Sequence, residues 1–355
     1  MNYLPAYDLQ KMQILAFNFD FCYIRFVVTL QTDFINVLKL KVKPNVSFAD
    51  EMSRLLNISA DSAYRRIRCE TDLSLNEAKI LADYYKVSLQ NLFNAQQRDF
   101  GFVYRAFDRK TISFERYLTY LVEDLKAIQK ASEKNIVYCA KDVPIFHHFN
   151  FPELAAFKIF YWMKQVLQLS KYKEVCFSES LIEDKFIELG QKANSLYSDI
   201  PSTEIWTEDT LNSTLKQIAF FHRHKLISTT ALTLKLIDGV AKMIEHIQND
   251  ALKQHKESNH GLNPKGASFR LVFSDMPLNN NAVYVKTDSV TTTYITHNTL
   301  NILSTSNPDF CRETHFYTEN LIHNSTLKNE PHRDGLSESF KHIFNSIHQF
   351  KSKIT

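Results

Sequence analysis

Residues 47–93 constrain this chain most, because they set helix starts so close together that only tight turns fit between them. Ser47 is a good N-cap, and Asp50 sits three residues on, where a carboxylate can answer the free N–H groups of a first helical turn. Phe48, Met52, Leu55 and Leu56 follow at i, i+4, i+7 and i+8, the single apolar stripe of a short helix. Asn57 tolerates the left-handed conformation used at helix ends, Ile58 gives the turn an apolar anchor, and Ser59 is the next N-cap. The spacing therefore predicts two helices joined by a turn too short for anything but a helix-turn-helix.

At about 100° per residue, the second helix, residues 60–68, turns Ala60, Ala63, Tyr64 and Ile67 to one side. Ser62, Arg65 and Cys69 fall opposite, flanked by Asp61, Arg66 and Arg68. The side that does not pack inward thus carries three arginines. An arginine on a helix in the major groove of DNA can grip a guanine edge with two hydrogen bonds, which lysine cannot reproduce with the same geometry. Arg65 is the candidate base contact with Ser62 beside it, and Arg66 and Arg68 suit phosphates. Ser59 and Asp61 complete the candidate set at the start of the helix. The plain alternative is a solvated helix face with no partner.

Ser74 and Glu77 form a capping box, and Leu75, Ala78, Leu81, Ala82 and Tyr85 supply the buried stripe that follows. Val87 leads into Ser88, another N-cap, with Leu89, Leu92 and Phe93 on a short closing helix. This order of helix, N-I-S, helix, capped helix and K-V-S-L-Q-N-L-F resembles the Cro/repressor-like helix-turn-helix domain of bacterial transcription regulators, over about residues 33–93. The family usually has glycine where Asn57 and Cys69 stand, and alanine where Ser53 stands. Asn57 substitutes for glycine on backbone grounds, and Ser53 is small enough for close helix contact. The resemblance implies double-stranded DNA as partner, residues 60–68 as recognition helix, and a homodimer whose half-sites lie about 34–36 Å apart.

Charge adds little attraction. Residues 31–98 hold ten Lys/Arg against eight Asp/Glu, and the whole chain sums to +3. Binding would therefore rest on a few placed arginines and on two copies acting together.

A length of 355 residues, with 44% apolar and 23% charged, describes a globular protein of two or three domains. Cys22, Cys69, Cys139, Cys176 and Cys311 are odd in number and widely scattered, which fits reduced thiols in a cytoplasmic protein and no disulfide or zinc framework. Residues 13–30 are apolar but interrupted by Asn18, Asp20 and Arg25, so neither a membrane span nor a signal peptide is expected, and residues 1–30 read as a poorly structured extension. A polar hinge at 94–99 closes the reader at residues 31–97. Residues 98–262 follow as a helical regulatory and dimerisation region, with helices near 114–125, 156–169, 181–197, 211–221 and 232–247. Residues 263–355 read as a small α+β region. There residues 268–273, 282–286 and 290–296 alternate as a short antiparallel sheet, with a turn at Asn279, Asn280 and Asn281, before helices at 310–327 and 336–350. The expected fold is mainly α: a five-helix reader, a helical middle and this small α+β part.

Catalytic chemistry finds no foothold. Only six glycines are present, and the P-loop-like residues 261–268 put Ala267 where the phosphate-binding lysine belongs. His147 and His148 are adjacent on a helix and point apart, which disfavours a metal site. Ser170 to Lys173 matches S-x-x-K without a partner motif. Nothing local activates Cys139 or Cys311. The aromatics Phe146, Phe149, Phe151, Phe157, Phe160, Tyr161 and Trp162 can line a pocket, but such a stripe is more often core. The expectation is a DNA-binding transcription regulator without enzymatic activity, cofactor, metal or membrane, and with room for a small-molecule or peptide effector. Its rival is a helical protein-interaction or peptide-sensing scaffold, and an enzyme with an unfamiliar aromatic site is a distant third.

Overall fold

The computed structural model describes residues 30–42, 46–87, 89, 100–105, 114–257, 266–325 and 332–354. The expectations for residues 1–29, Cys22, the Ser88 cap, the closing helix at Leu92 and Phe93, the 94–99 hinge and Gly261 lie outside the described residues. The chain divides into two compact units, one ending at Phe100 and one beginning at Gly101.

In the first unit, α1 (Leu30–Lys39), α2 (Phe48–Leu56), α3 (Ala60–Ile67) and α4 (Leu75–Tyr85) follow the caps written in the sequence. The Ser47, Ser59 and Ser74 side chains accept from the backbone N–H groups of Asp50, Ser62 and Glu77, and Glu77 returns its bond to complete the capping box. Asn57, with φ 53°, closes α2 in the left-handed region. Phe34, Ile35, Leu38, Met52, Ala63, Leu81, Ala82 and Tyr85 form the buried centre. Every helix contributes to it, and none of them could bury its apolar stripe alone.

The second unit overturns the mainly α expectation. Its described strands are β1 (Val103–Arg105), β2 (Lys134–Cys139), β3 (Ser202–Trp206), β4 (Phe269–Phe273), β5 (Ala282–Thr287), β6 (Thr291–His297) and β7 (Asn301–Thr305). They form one seven-stranded mixed sheet in the order β1-β7-β6-β5-β2-β3-β4. Strands β2, β3 and β4 run parallel, while β5, β6, β7 and β1 form an antiparallel flank joined through the β2–β5 pair. The expected short antiparallel sheet is therefore replaced by a larger mixed one, and the residues read as an all-helical middle supply β2 and β3 among its inner strands. Those two strands escaped notice because they are short and buried, so they lack the polar alternation that marks a half-exposed strand.

The expected hairpin between β4 and β5 does not form. β4 pairs with β3 at one edge and β5 pairs with β2, so the intervening chain crosses the sheet. Asn281 serves this crossing: its Oδ1 accepts from the Asp142 N–H at 3.1 Å and its carbonyl accepts from the Thr296 N–H.

The helices of this unit are α5 (Phe114–Gln129), α6 (Ile145–His148), α7 (Pro152–Tyr161), α8 (Asp184–Ser198), α9 (Asn212–Arg223), α10 (Thr230–Lys253), α11 (Pro308–His323) and α12 (His332–Ser352). Pro152 starts α7 as expected, and a π-turn at Trp162–Val166 ends it. Ile136 and Tyr138 of β2 enter the large core built with most of the helices. Val137 and Cys139 point to the other face, into a smaller cluster with Cys311 and Leu321 of α11. The aromatic stripe is largely core: Phe149, Phe157 and Phe160 are at most 1% exposed.

At the middle of the large core, Glu204 of β3 has no exposed surface. Its Oε1 lies 2.8 Å from His147 Nε2 and accepts from Tyr197 Oη at 2.6 Å, and its Oε2 accepts from Trp206 Nε1 at 2.8 Å. Burial pushes this carboxyl upward, but His147, Tyr197 and Trp206 together hold it below the usual carboxylate range. Lys256 is also buried, and its Nζ donates to the carbonyls of Tyr197 and Ile200 and to Ser202 Oγ. Burial lowers its pKa to about 7.

Helix α8 approaches this centre through Gly190, where an added Cβ would lie 2.3 Å from the Phe149 ring. Gly190→Ala is expected to destabilise the second unit by about 1–3 kcal/mol through overpacking. Denaturant unfolding followed by tryptophan fluorescence measures this, and an unchanged midpoint would show that the ring has room to move.

Candidate nucleic-acid interface

Helix α3 is short, and its supports decide what it presents. Ala63 is fully buried beneath it, while Asp61, Arg65 and Arg68 face water and Tyr64 is 50% exposed. These four lie at i, i+3, i+4 and i+7, one continuous outward stripe. The helix is thus rotated from the sequence expectation: Ala60 and Tyr64, assigned inward, are exposed, and Ser62 turns partly inward. Ser59 is exposed and its hydroxyl donates to Ser62 Oγ at 3.0 Å, so this pair caps the helix start.

The three arginines separate by partner. Arg66 turns toward α4, where its Nη2 lies 2.9 Å from Glu77 Oε1, and its Nη1 donates to the Ser62 carbonyl. Its side chain is only 17% exposed. Arg68 pairs with Glu70 across 2.9 Å in open solvent, a contact worth little and easily exchanged. Arg65 makes no ion pair among the described residues. Of the cations on α3, it alone stands both exposed and uncommitted.

The exit of α3 depends on a residue that sequence reasoning missed. Cys69 takes φ 59°, filling a left-handed position at the helix exit that glycine adopts most easily. Gln31 of α1 then secures the turn: its Nε2 donates to the carbonyls of Arg66 and Thr71, and its Oε1 accepts from the Leu73 N–H at 2.8 Å. These partners are about forty residues away in sequence, so no local pattern marks Gln31.

The other sequence candidates come to rest elsewhere. His147 meets Glu204 and His148 meets Thr214 Oγ1, so the adjacent histidines diverge. Burial pushes the Cys139 thiol up to about 12, unsuited to nucleophilic work. Ser170–Tyr172 is a single 3₁₀ turn, and Lys171 lies over the Tyr172 ring. No helix among the described residues is long and apolar enough to cross a membrane. Comparison with known protein families, curated proteins and solved structures finds no match for this chain.

Glu77 joins the cap of α4 to the anchoring of α3. Burial works upward on its carboxyl, but the Ser74 N–H and hydroxyl and the Arg66 guanidinium outweigh it and hold the group below its ordinary value of 4.5. The folded carboxyl therefore gives up its proton more readily than the unfolded one. Its contribution is intact above that ordinary value and is lost as pH falls through the lower folded one. Glu77→Gln is expected to cost about 1–2 kcal/mol at neutral pH. It should also flatten the acid dependence of protection at the start of α4, read by amide hydrogen exchange. Equal acid sensitivity in both proteins would count against Glu77 as the linked group.

Proposed function

We propose that the first unit is the DNA-reading part of a sequence-specific transcription regulator, with α3 entering the major groove. The observation that carries this reading is the outward stripe of Asp61, Tyr64, Arg65 and Arg68 on a helix held at both ends, in which the Arg65 guanidinium has no ion pair among the described residues. In this role Arg65 grips a guanine edge, Arg68 exchanges Glu70 for a phosphate, and the Ser59–Ser62 pair offers hydroxyls near the backbone. Arg66 acts indirectly, fixing the angle of α3 through Glu77.

So small a reader, with so little net charge, reaches useful affinity as a homodimer on paired half-sites. The second unit is then the part that dimerises or senses an effector, and regulation is a shift between competent and incompetent spacings of two readers. The rival scaffold reading assigns the first unit a protein partner and no duplex.

Selection from random duplexes followed by anisotropy titration separates these readings. Affinity should fall linearly with the logarithm of salt concentration. Arg65→Ala should cost about 1–3 kcal/mol and relax the preference at one position of the site, whereas Arg66→Ala should act mainly on stability. Absence of binding at low salt would favour the scaffold, and unchanged sequence preference in the Arg65 variant would remove that residue from the interface.

A further inference from the structure

The parallel strands β2 and β3 end side by side, and beyond their carboxyl ends lies a cavity of about 660 Å³. Ligands of open α/β sheets bind outside the carboxyl ends of the parallel strands, and the loops after β2 and β3 border this cavity. The volume suits a molecule of metabolite size. Lys141 and Asp142 line it from the loop after β2, Tyr161 from α7, and Lys216 and Gln217 from α9.

The lining sets two lysines, Lys141 and Lys216, against two carboxylates, Asp142 and Asp209, and the excess positive charge comes from Lys158 behind it. Lys158 stands behind its wall, only 4% exposed, and its Nζ donates to Gln217 Oε1 at 2.9 Å and to Thr214 Oγ1 at 3.4 Å. Both partners are neutral, and no carboxylate lies within ion-pair distance of Lys158 among the described residues. Burial pushes its pKa down to about 8, with Asp142 acting against this from a distance. A buried ammonium without a counter-ion is costly. At the rim, Lys141 and Lys216 are exposed and likewise form no ion pair among the described residues. Asp209, the other carboxylate of the lining, is engaged by the Asn212 side chain.

We propose that this cavity binds a small organic anion, a phosphomonoester or a polycarboxylate, with its acidic group toward Gln217 and Lys158 and its body against Tyr161. Lys141 and Lys216 draw the ligand in, and its negative charge offsets the buried Lys158. Asp142 excludes ligands that crowd further negative charge against the loop after β2. The site stands independently of what the first unit reads.

Isothermal titration of the full chain, without DNA, tests the proposal with three probes: adenosine 5′-monophosphate, citrate and uncharged adenosine. One of the two anions should bind with one-to-one saturation and adenosine should not, and which anion binds identifies the acidic group. The double variant K141E/K216E should weaken the binding on the order of tenfold or more. Lys158→Met, which replaces a buried cation by an apolar side chain of similar length, should weaken it while the thermal midpoint is kept or raised. Absence of saturable binding of both anions up to about 1 mM, equal binding of adenosine, or undiminished affinity in both variants would overturn the proposal.

Discussion

A carboxylate with no access to water fixes how the helices of the second unit dock on its sheet. Glu204 sits on the central parallel strand β3, and its three donors come from α6, α8 and its own strand. Taking a charge out of water costs several kcal/mol, and removing one partner of such a cluster typically costs about 3–5 kcal/mol. The helical layer therefore has one well-satisfied docking on the sheet, because sliding α6 or α8 by a turn would strand the carboxylate. Gly190 makes the same demand sterically by bringing the α8 backbone against the Phe149 ring. Apolar packing supplies most of the driving force in this core, and the polar centre decides its register.

The first unit uses a carboxylate in a milder way. Glu77 is partly exposed and answers two needs at once, the free N–H of Ser74 at the start of α4 and the Arg66 guanidinium of α3. By drawing Arg66 away from the outer face, it leaves that face to Arg65 and Arg68. Gln31 does the corresponding work at the far end of α3. An eight-residue helix is unstable alone, and here it is fixed at its start by Ser59 and at its exit by α1. Such fixing is what a reader needs, because base contacts lose their worth when the helix can tilt.

Much of the first unit was legible because its signals are local. The Ser47, Ser59 and Ser74 caps, the Asn57 stop and the apolar stripes each act within a turn or two of chain, where sequence distance equals spatial distance. What failed there was rotation: Ala60, Tyr64 and Ser62 were assigned by helix angle alone, and the packing of α3 against α2 decided which angle was covered. In the second unit, helices α5, α7 and α9 announced themselves by periodicity, while β2 and β3 did not, since a short strand buried on both faces carries no alternation.

The sequence by itself determined where α2, α3 and α4 begin, that Asn57 stands at a left-handed stop, and that residues 60–68 carry three arginines. Those properties depend on neighbours within a few residues. Only the tertiary structure decided that residues 134–139 and 202–206 are inner strands of a mixed sheet, that β4 and β5 part company, and that Lys158 is buried with no counter-ion among the described residues. It also decided which of the three arginines forms no ion pair among the described residues. Strand pairing and charge compensation join residues tens to more than a hundred positions apart, and their energies depend on a burial that exists only once the whole core has closed.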